Sequence, residues 1–399
     1  MELKEYKLGD IAEIVNGSTP TTTCPHYYDG DIVWITPKDL SEQKSKYIEK
    51  GERNITEAGF NSCSTHLIPK YNILLTSRAP IGLLAINKVA CCTNQGFKNL
   101  IVNKDIVDVD YLYYYLKYHI AEIEALGTGT TFKEVSKASM EKYTVSLPDI
   151  EEQKKVSSIL SALDAKISLN KQINQNLEAL ARQLYDYWFV QFDFPNEKGK
   201  PYKSSGGKMV YNPILKREIP EGWEVKRLQT IVNISRGSII TESQSHIGNV
   251  KVVAAATSYS YFHNVANRTA NVITISSSGA NAGYINFWRE PIFASDCITI
   301  QANNDIDTIL VYHNLELYKQ FIMQNSHGSA QPHVYPSDIQ DLPFICIPEE
   351  LKERISELYL ELNKDIANNL KEIESLTKQR DELLPLLMNG QVNFDLCAD

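Results

Sequence analysis

No stretch of this sequence is an apolar run long enough to cross a bilayer. The opening residues, Met1-Glu2-Leu3-Lys4-Glu5, lack the apolar core of a secretion signal. Cysteine is sparse: seven residues, an odd number, with no Cys-x-x-Cys pair. That argues against a zinc site or a disulfide framework and for a reducing, cytoplasmic setting. The eight histidines are dispersed. His327 and His333 are the one close pair, and with no third ligand nearby no metal site is expected. Phosphate cradles are missing as well. Gly127-Thr128-Gly129 and Gly279-Ala280-Asn281-Ala282-Gly283 lack P-loop spacing and its Lys-Ser/Thr, and Gly127 follows a helical stretch, not a strand.

An excess of positive charge is also lacking. The net charge is −9, which argues weakly against nucleic acid, but its location matters more. Residues 349–399 carry twelve acidic and six basic side chains, so most of the acidity lies there, and the two globular stretches are nearly neutral. Such modules hold phosphates weakly alone, so tight DNA binding calls for a basic partner. Asn212-Pro213-Ile214-Leu215 has the first half of an amino-methyltransferase motif but lacks its second Pro and its aromatic. The expected class is a binding protein, not an enzyme.

What is present is a pattern that occurs twice. From residue 149 to 192, Val156, Leu163, Asn170, Leu177 and Leu184 recur every seven residues, with Leu160, Ile167, Asn174, Ala181 and Trp188 between them. From 349 to 392 the same ladder runs Ile355, Leu362, Asn369, Leu376 and Leu383, with Tyr359, Ile366, Ile373, Arg380 and Leu387. A sustained seven-residue repeat predicts helices whose seams face another helix. Both ladders put Asn at the third step. Antiparallel pairing would bring Asn170 and Asn369 opposite or close to each other as register pins; two separate helices with solvent-facing Asn are the alternative.

At 399 residues the chain exceeds one ordinary core. Residues 1–148 read as an irregular α/β module. A short amphipathic opening from Leu8 to Val15 precedes strands at Ile32–Ile35, Ile73–Thr76, Leu83–Ile86 and Leu100–Val102, then a helix over Asp110–Leu126. Residues 193–221, rich in Gly, Ser, Pro and Lys, form a partly flexible basic connector. Residues 222–348 repeat the first module. Leu8/Ile11/Ile14/Gly17-Ser18 match Leu228/Ile231/Ile234/Gly237-Ser238 at an offset of 220, and Pro148 matches Pro348 at 200. Residues 393–399 are a tail. The fold class is α/β (α+β): two repeated modules separated by two long helices that form an antiparallel coiled coil.

Loop chemistry in both modules suits groove readout. Arg78 lies in a Thr76-Ser77-Arg78-Ala79-Pro80 turn, and Arg is the usual bidentate reader of guanine. Asn94, Gln95 and Lys98 surround Gly96-Phe97; Asn and Gln read adenine. Thr130, Thr131 and Lys133 can hold phosphates or contact thymine methyls, and Lys38 is a further DNA-binding candidate. In the second module Arg236, Ser276, Ser277, Ser278, Asn281, Gln331 and His333 are the candidates. Each turn alone could equally be structural; both loop sets staying polar and Gly-punctuated favours function.

Several motifs together resemble the specificity subunit of type I restriction–modification systems over essentially the whole length. They are Leu147-Pro148-Asp149-Ile150-Glu151-Glu152-Gln153, Tyr187-Trp188-Phe189-Val190-Gln191-Phe192-Asp193-Phe194-Pro195, Gly199-Lys200-Pro201-Tyr202, Ile219-Pro220-Glu221-Gly222-Trp223 and Leu383-Leu384-Pro385-Leu386-Leu387-Met388-Asn389-Gly390. Ser77-Arg78-Ala79-Pro80-Ile81-Gly82 and Asn94-Gln95-Gly96-Phe97-Lys98 also recur in that family's first domain. The second helix departs from the motif, since Pro348-Glu349-Glu350-Leu351 lacks the Gln. The resemblance implies two target-recognition domains, each reading half of a bipartite, asymmetric double-stranded DNA site. It implies helices that act as a ruler of roughly 60 Å and dock modification subunits. Restriction/translocase subunits would join them; S-adenosylmethionine, ATP and Mg would bind to partners and not to this chain. A stand-alone DNA-modifying enzyme and a coiled-coil scaffold without a DNA role are the competing classes.

Overall fold

The computed structural model describes residues 2–43, 45–129, 133–326 and 332–391. Two compact units emerge, Met1–Asn170 with Glu372–Asp399, and Lys171–Lys371. They divide at the midpoints of the long helices, so each unit owns one module and half of each helix. No helix among the described residues is long and apolar enough to cross a membrane.

In the first unit, strands β1 (Ala12–Asn16), β2 (Ile73–Ser77), β3 (Ile81–Asn87) and β4 (Lys98–Val102) lie in the order β1-β4-β2-β3, with Tyr47–Ile48 at the edge. All five residues of β2 are buried, as expected for a strand covered on both faces. A second sheet centres on Tyr28–Ile35, flanked by Arg53–Ile55 antiparallel and Cys92–Thr93 parallel. Lys4–Lys7 pairs with Thr144–Leu147 and closes the module beside the following helix. The amphipathic opening divides into a helical turn at Leu8–Ile11 and β1, because Ala12–Asn16 pairs with β4. The helix expected over Asp110–Leu126 breaks at His119. It gives α1 (Val109–Tyr118), capped by Asp108, whose carboxylate accepts the Tyr111 N–H at 2.9 Å, and a short helix at Ile120–Ala125.

Helix α2 (Ile150–Tyr185) follows, opened by Asp149, whose Oδ1 accepts the N–H groups of Glu151 and Glu152. Gln153, 1% exposed, stitches this turn to the module: its Nε2 donates to the carbonyls of Pro148 and Ile106, and its Oε1 accepts the Asp108 N–H.

The second unit repeats the plan. Strands β5 (Val232–Arg236), β6 (Val272–Ser276), β7 (Ile285–Trp288) and β8 (Cys297–Ala302) lie in the same order, β5-β8-β6-β7. Its second sheet centres on Val250–Val253, again with one antiparallel and one parallel neighbour. Glu224–Arg227 pairs with Pro343–Cys346. Helix α3 (Asp305–Leu317) is capped by Asn304, and helix α4 (Glu349–Met388) is the last helix among the described residues. Where the first unit uses Gln153, α4 has Lys352, paired with Asp307 at 3.2 Å and Glu349 at 3.1 Å. An ion pair thus replaces the missing Gln. The connector is more structured than its composition suggests. Met209–Asn212 and Arg217–Pro220 form a hairpin, and Phe194 stacks between Tyr202 (4.6 Å) and Trp223 (4.8 Å).

Within each unit the helix halves run antiparallel. In the first, Asp164 meets Arg380 at 2.8 Å and Lys166 meets Glu372. In the second, the Tyr359 hydroxyl donates to the Ala181 carbonyl at 3.4 Å. Asn170 and Asn369 each bond across the seam within their own unit. Asn170, 6% exposed, donates to Glu372 at 2.9 Å, whereas Asn369 donates to Asn174 Oδ1 at 2.9 Å and Asn174 donates to the Ile366 carbonyl. Both Asn residues therefore act in the seam, with Glu372 and Asn174 as partners in place of each other. The seam also belongs to the module cores: Val156, Leu160 and Leu387 pack in the first, Ala181, Tyr185, Ile355, Tyr359 and Leu362 in the second.

Candidate nucleic-acid interface

Loops at one end of the first module's sheet converge around Gly96. A Cβ there would lie 3.1 Å from Pro37 Cγ, 3.0 Å from Asn94 Oδ1 and 3.8 Å from Arg78 Cγ, so the turns carrying Lys38, Arg78 and Asn94 meet at one point. The Asn94 side chain closes its own turn by accepting the Gly96 N–H at 2.9 Å. Gln95 is exposed beside it and accepts from Thr19. Gly17 holds the neighbouring loop against this turn: a Cβ would fall 2.0 Å from the Asn94 carbonyl, so no larger residue fits. Lys133 is exposed on the segment that returns to β2, where the Val135 N–H donates to the Ser77 carbonyl. Lys38 is exposed and bonded to Glu52 at 2.8 Å, which raises its ammonium above the ordinary lysine value.

Three first-module candidates are withdrawn from direct contact. Thr76 is fully buried and accepts the Leu83 N–H; Ser77, 1% exposed, donates to the Gly96 carbonyl. Lys98 is 6% exposed, its ammonium 3.1 Å from Glu134 Oε1. All three sit on strands inside the sheet, where polar side chains satisfy neighbours instead of solvent. Thr130 and Thr131 lie outside the described residues. Glu134 was not anticipated, and it is central: its Oε2 lies 3.6 Å from Arg78 Nη1.

At the same end of the second module, Arg236, Ser277, Ser278, Asp296, His333 and Tyr335 line a cleft of about 440 Å³. Ser277 and Ser278 donate to the two oxygens of Asp296, and Arg236 lies over the Tyr335 ring, 5.2 Å from its centroid. Ser276 and Ser277 are buried, and Ser276 donates to the Ala256 carbonyl, so both are structural for the reason given for Thr76. Ser278 and His333 face each other across an isolated bridge, and Asn281 is half-buried in the turn Gly279–Asn281. Gln331, like His327, lies outside the described residues. Asp296 and Tyr335 were missed; continuing the 200-residue offset from Gly96 would have reached Asp296. Gly237 repeats the role of Gly17, its Cβ position 2.1 Å from the Ser295 carbonyl.

The duplicated module, the shared sheet order and the helix after each copy coincide with a family model described as type I restriction modification DNA specificity domain, which matches residues 1–179 and again 220–384. The chain belongs to that family. It is 33% identical over 420 aligned positions to the type I restriction enzyme MjaIX specificity subunit of Methanocaldococcus jannaschii, spanning 98% of this chain and 93% of that one. The EcoR124I/EcoR124II specificity subunit of Escherichia coli is 28% identical over 202 residues, 49% of each chain. In fold, the chain is similar to the crystal structure of the type I restriction–modification S subunit from M. genitalium, with a TM-score of 0.59, 18% identity and coverage of 97% and 96%. Each family match takes in one module and most of the helix behind it. This specificity subunit thus consists of two copies of one unit, and the exposed loop ends of the copies carry different side chains.

Proposed function

We propose that this chain is the non-catalytic, sequence-reading subunit of a type I restriction–modification complex acting in the cytoplasm. Each module reads one half of a bipartite, asymmetric site on double-stranded DNA, and the helices set the spacer and dock modification subunits. S-adenosylmethionine belongs to those subunits, and ATP and Mg belong to restriction/translocase subunits that join them. The observation that carries this reading is the double family match combined with polar loop clusters at the same end of both sheets. Candidate readers are Arg78, Asn94 and Gln95 in the first module and Ser278, Asn281, His333 and Arg236 in the second. Lys38 and Lys133, both exposed, are the candidates for phosphate contacts. Adenine methylation mapped across the host genome, with and without this gene, tests the reading: one two-part motif should disappear with the gene. An unchanged methylation pattern in a strain that expresses the partners would reject it.

Docking of partners is assigned to an apolar row on α2 that its own seam leaves uncovered. Ile173 and Leu180 on α2 and Tyr187 just past its end, all in the second unit, recur every seven residues and are 37–43% exposed. Charged substitution of this row, Ile173→Asp with Leu180→Asp, should weaken association with the modification subunit at least tenfold while changing the unfolding free energy by no more than about 0.5 kcal/mol. Unchanged association in a pull-down titration would move the docking face elsewhere.

A further inference from the structure

At the reading end the two modules correspond residue by residue in their hydrogen bonds and strand register. The Val135 N–H donates to the Ser77 carbonyl in the first; the Val334 N–H donates to the Ser277 carbonyl in the second. Thr76 faces Phe97 as Ser276 faces Cys297, and Asn16 pairs with Lys98 as Arg236 pairs with Ile298. Arg78 therefore corresponds to Ser278, Glu134 to His333 and Lys98 to Ile298. The three charged residues stand together in the first module, and all three are replaced in the second. A buried Lys at a strand position that takes Ile in the sister copy is costly unless its charge is used.

The geometry shows the use. Lys98 Nζ lies 3.1 Å from one oxygen of Glu134 and 3.4 Å from the Ser77 hydroxyl. The other oxygen of Glu134 faces Arg78 Nη1 at 3.6 Å, beyond hydrogen-bond length, so the guanidinium is steered without being consumed as a donor. The Arg78 side chain remains 36% exposed. Two cations share one carboxylate, so the cluster keeps a net positive charge toward DNA. A free Arg samples many rotamers, and holding its planar fork removes part of the ordering cost of a bidentate contact.

We propose, on the footing that the chain reads DNA, that Glu134 is a positioning residue for specificity. Anchored by buried Lys98, it presents Arg78 to the O6 and N7 edge of a guanine in the first half-site. The second module has Ser278, His333 and Ile298 in place of Arg78, Glu134 and Lys98, with Arg236 beside them over the Tyr335 ring, and takes a base of different edge chemistry there.

The test is a double-mutant cycle in the full complex with its modification subunit. Binding is measured to the methylation-defined site and to single-base variants of each half. Arg78→Ala should lower discrimination at one guanine of the first half-site roughly 5- to 150-fold. Glu134→Gln should lower it at the same base pair by a smaller factor and add nothing in the Arg78→Ala background, with the second half-site unmoved. Where Glu134→Gln lowers the unfolding midpoint, the pair Lys98→Met with Glu134→Gln replaces it, since it removes the buried charge together with its partner. Equal weakening on every sequence, or a Glu134 effect that persists without Arg78, overturns the positioning role. A wild-type complex with no base preference in either half would instead overturn the DNA-reading function itself.

Discussion

Replacing Arg380 by Ala lowers stability by about 3–5 kcal/mol, far more than removal of an exposed charge would. Arg380 occupies a seam position of α4 where the heptad pattern calls for an apolar residue. Its guanidinium is 17% exposed and bonds Asp164 of α2 at 2.8 Å. The other oxygen of Asp164 accepts the Tyr114 hydroxyl of α1 at 2.7 Å. One turn away, buried Lys46 donates to Asp110, Tyr114 and Ser161. The first module is thus fastened to the helix pair by a connected polar network, and such networks fail together when one charge is orphaned. Loss of Arg380 leaves the half-buried Asp164 carboxylate with one neutral partner. Loss of Asp164 is milder, because Arg380 keeps Asp381 at 2.7 Å. Replacing both Asp164 and Arg380 by Leu should recover most of the loss, since an apolar pair removes the desolvation cost. Urea unfolding of the four proteins measures this; strict additivity of the single effects would show that the two residues do not act as a pair.

Acidification should destabilise the second unit through one residue. His313 on α3 is 8% exposed, in ring contact with Tyr185, Tyr312 and Tyr359. Burial first, then the charges of Arg289 and Arg182, push its pKa down to about 3, from an ordinary 6.5. Arg289 is itself held by Asn363 at 2.8 Å and Glu178 at 3.4 Å. The sign follows from proton uptake. Below pH 6.5 the unfolded chain protonates this imidazole and the folded one does not, so stability is complete above pH 6.5 and falls as pH drops toward 3. The slope approaches 1.4 kcal/mol per pH unit, or about 2 kcal/mol between pH 7 and 5. His313→Phe keeps the ring and removes the proton site, so its unfolding free energy should fall by about 2 kcal/mol less than that of wild type over that interval. Parallel pH curves for the two proteins would assign the acid sensitivity elsewhere.

The long helices were legible because a seven-residue period survives any tertiary context, and the duplication was legible because framework residues match at an offset of 220 near Gly17 and of 200 at Pro148. The pairing partner of each seam Asn was not. Two ladders of equal length admit several antiparallel offsets, and the observed one depends on Glu372 and Arg380 finding Lys166 and Asp164, which no single-helix pattern reveals. Within the loops, residue type located the right turns but not the orientation of each side chain. Thr76, Ser77 and Ser276 look like surface polar residues, yet they close backbone gaps inside the sheet. Lys98 looks like a phosphate contact and is the buried anchor of Glu134. Glu134 itself carries the wrong sign for a DNA contact, so a search for basic and amide side chains passes over it. Comparing the copies position by position is the signal that finds it.

On the proposed function, one chain reads two separate DNA sequences at once. That reading is tested most directly by selecting bound fragments from a random DNA pool with the assembled complex. Two short fixed blocks at constant separation, with no base preference between them, are the expected result, and Arg78→Ala should relax one block only. A single continuous block, or no enrichment at all, would contradict the account.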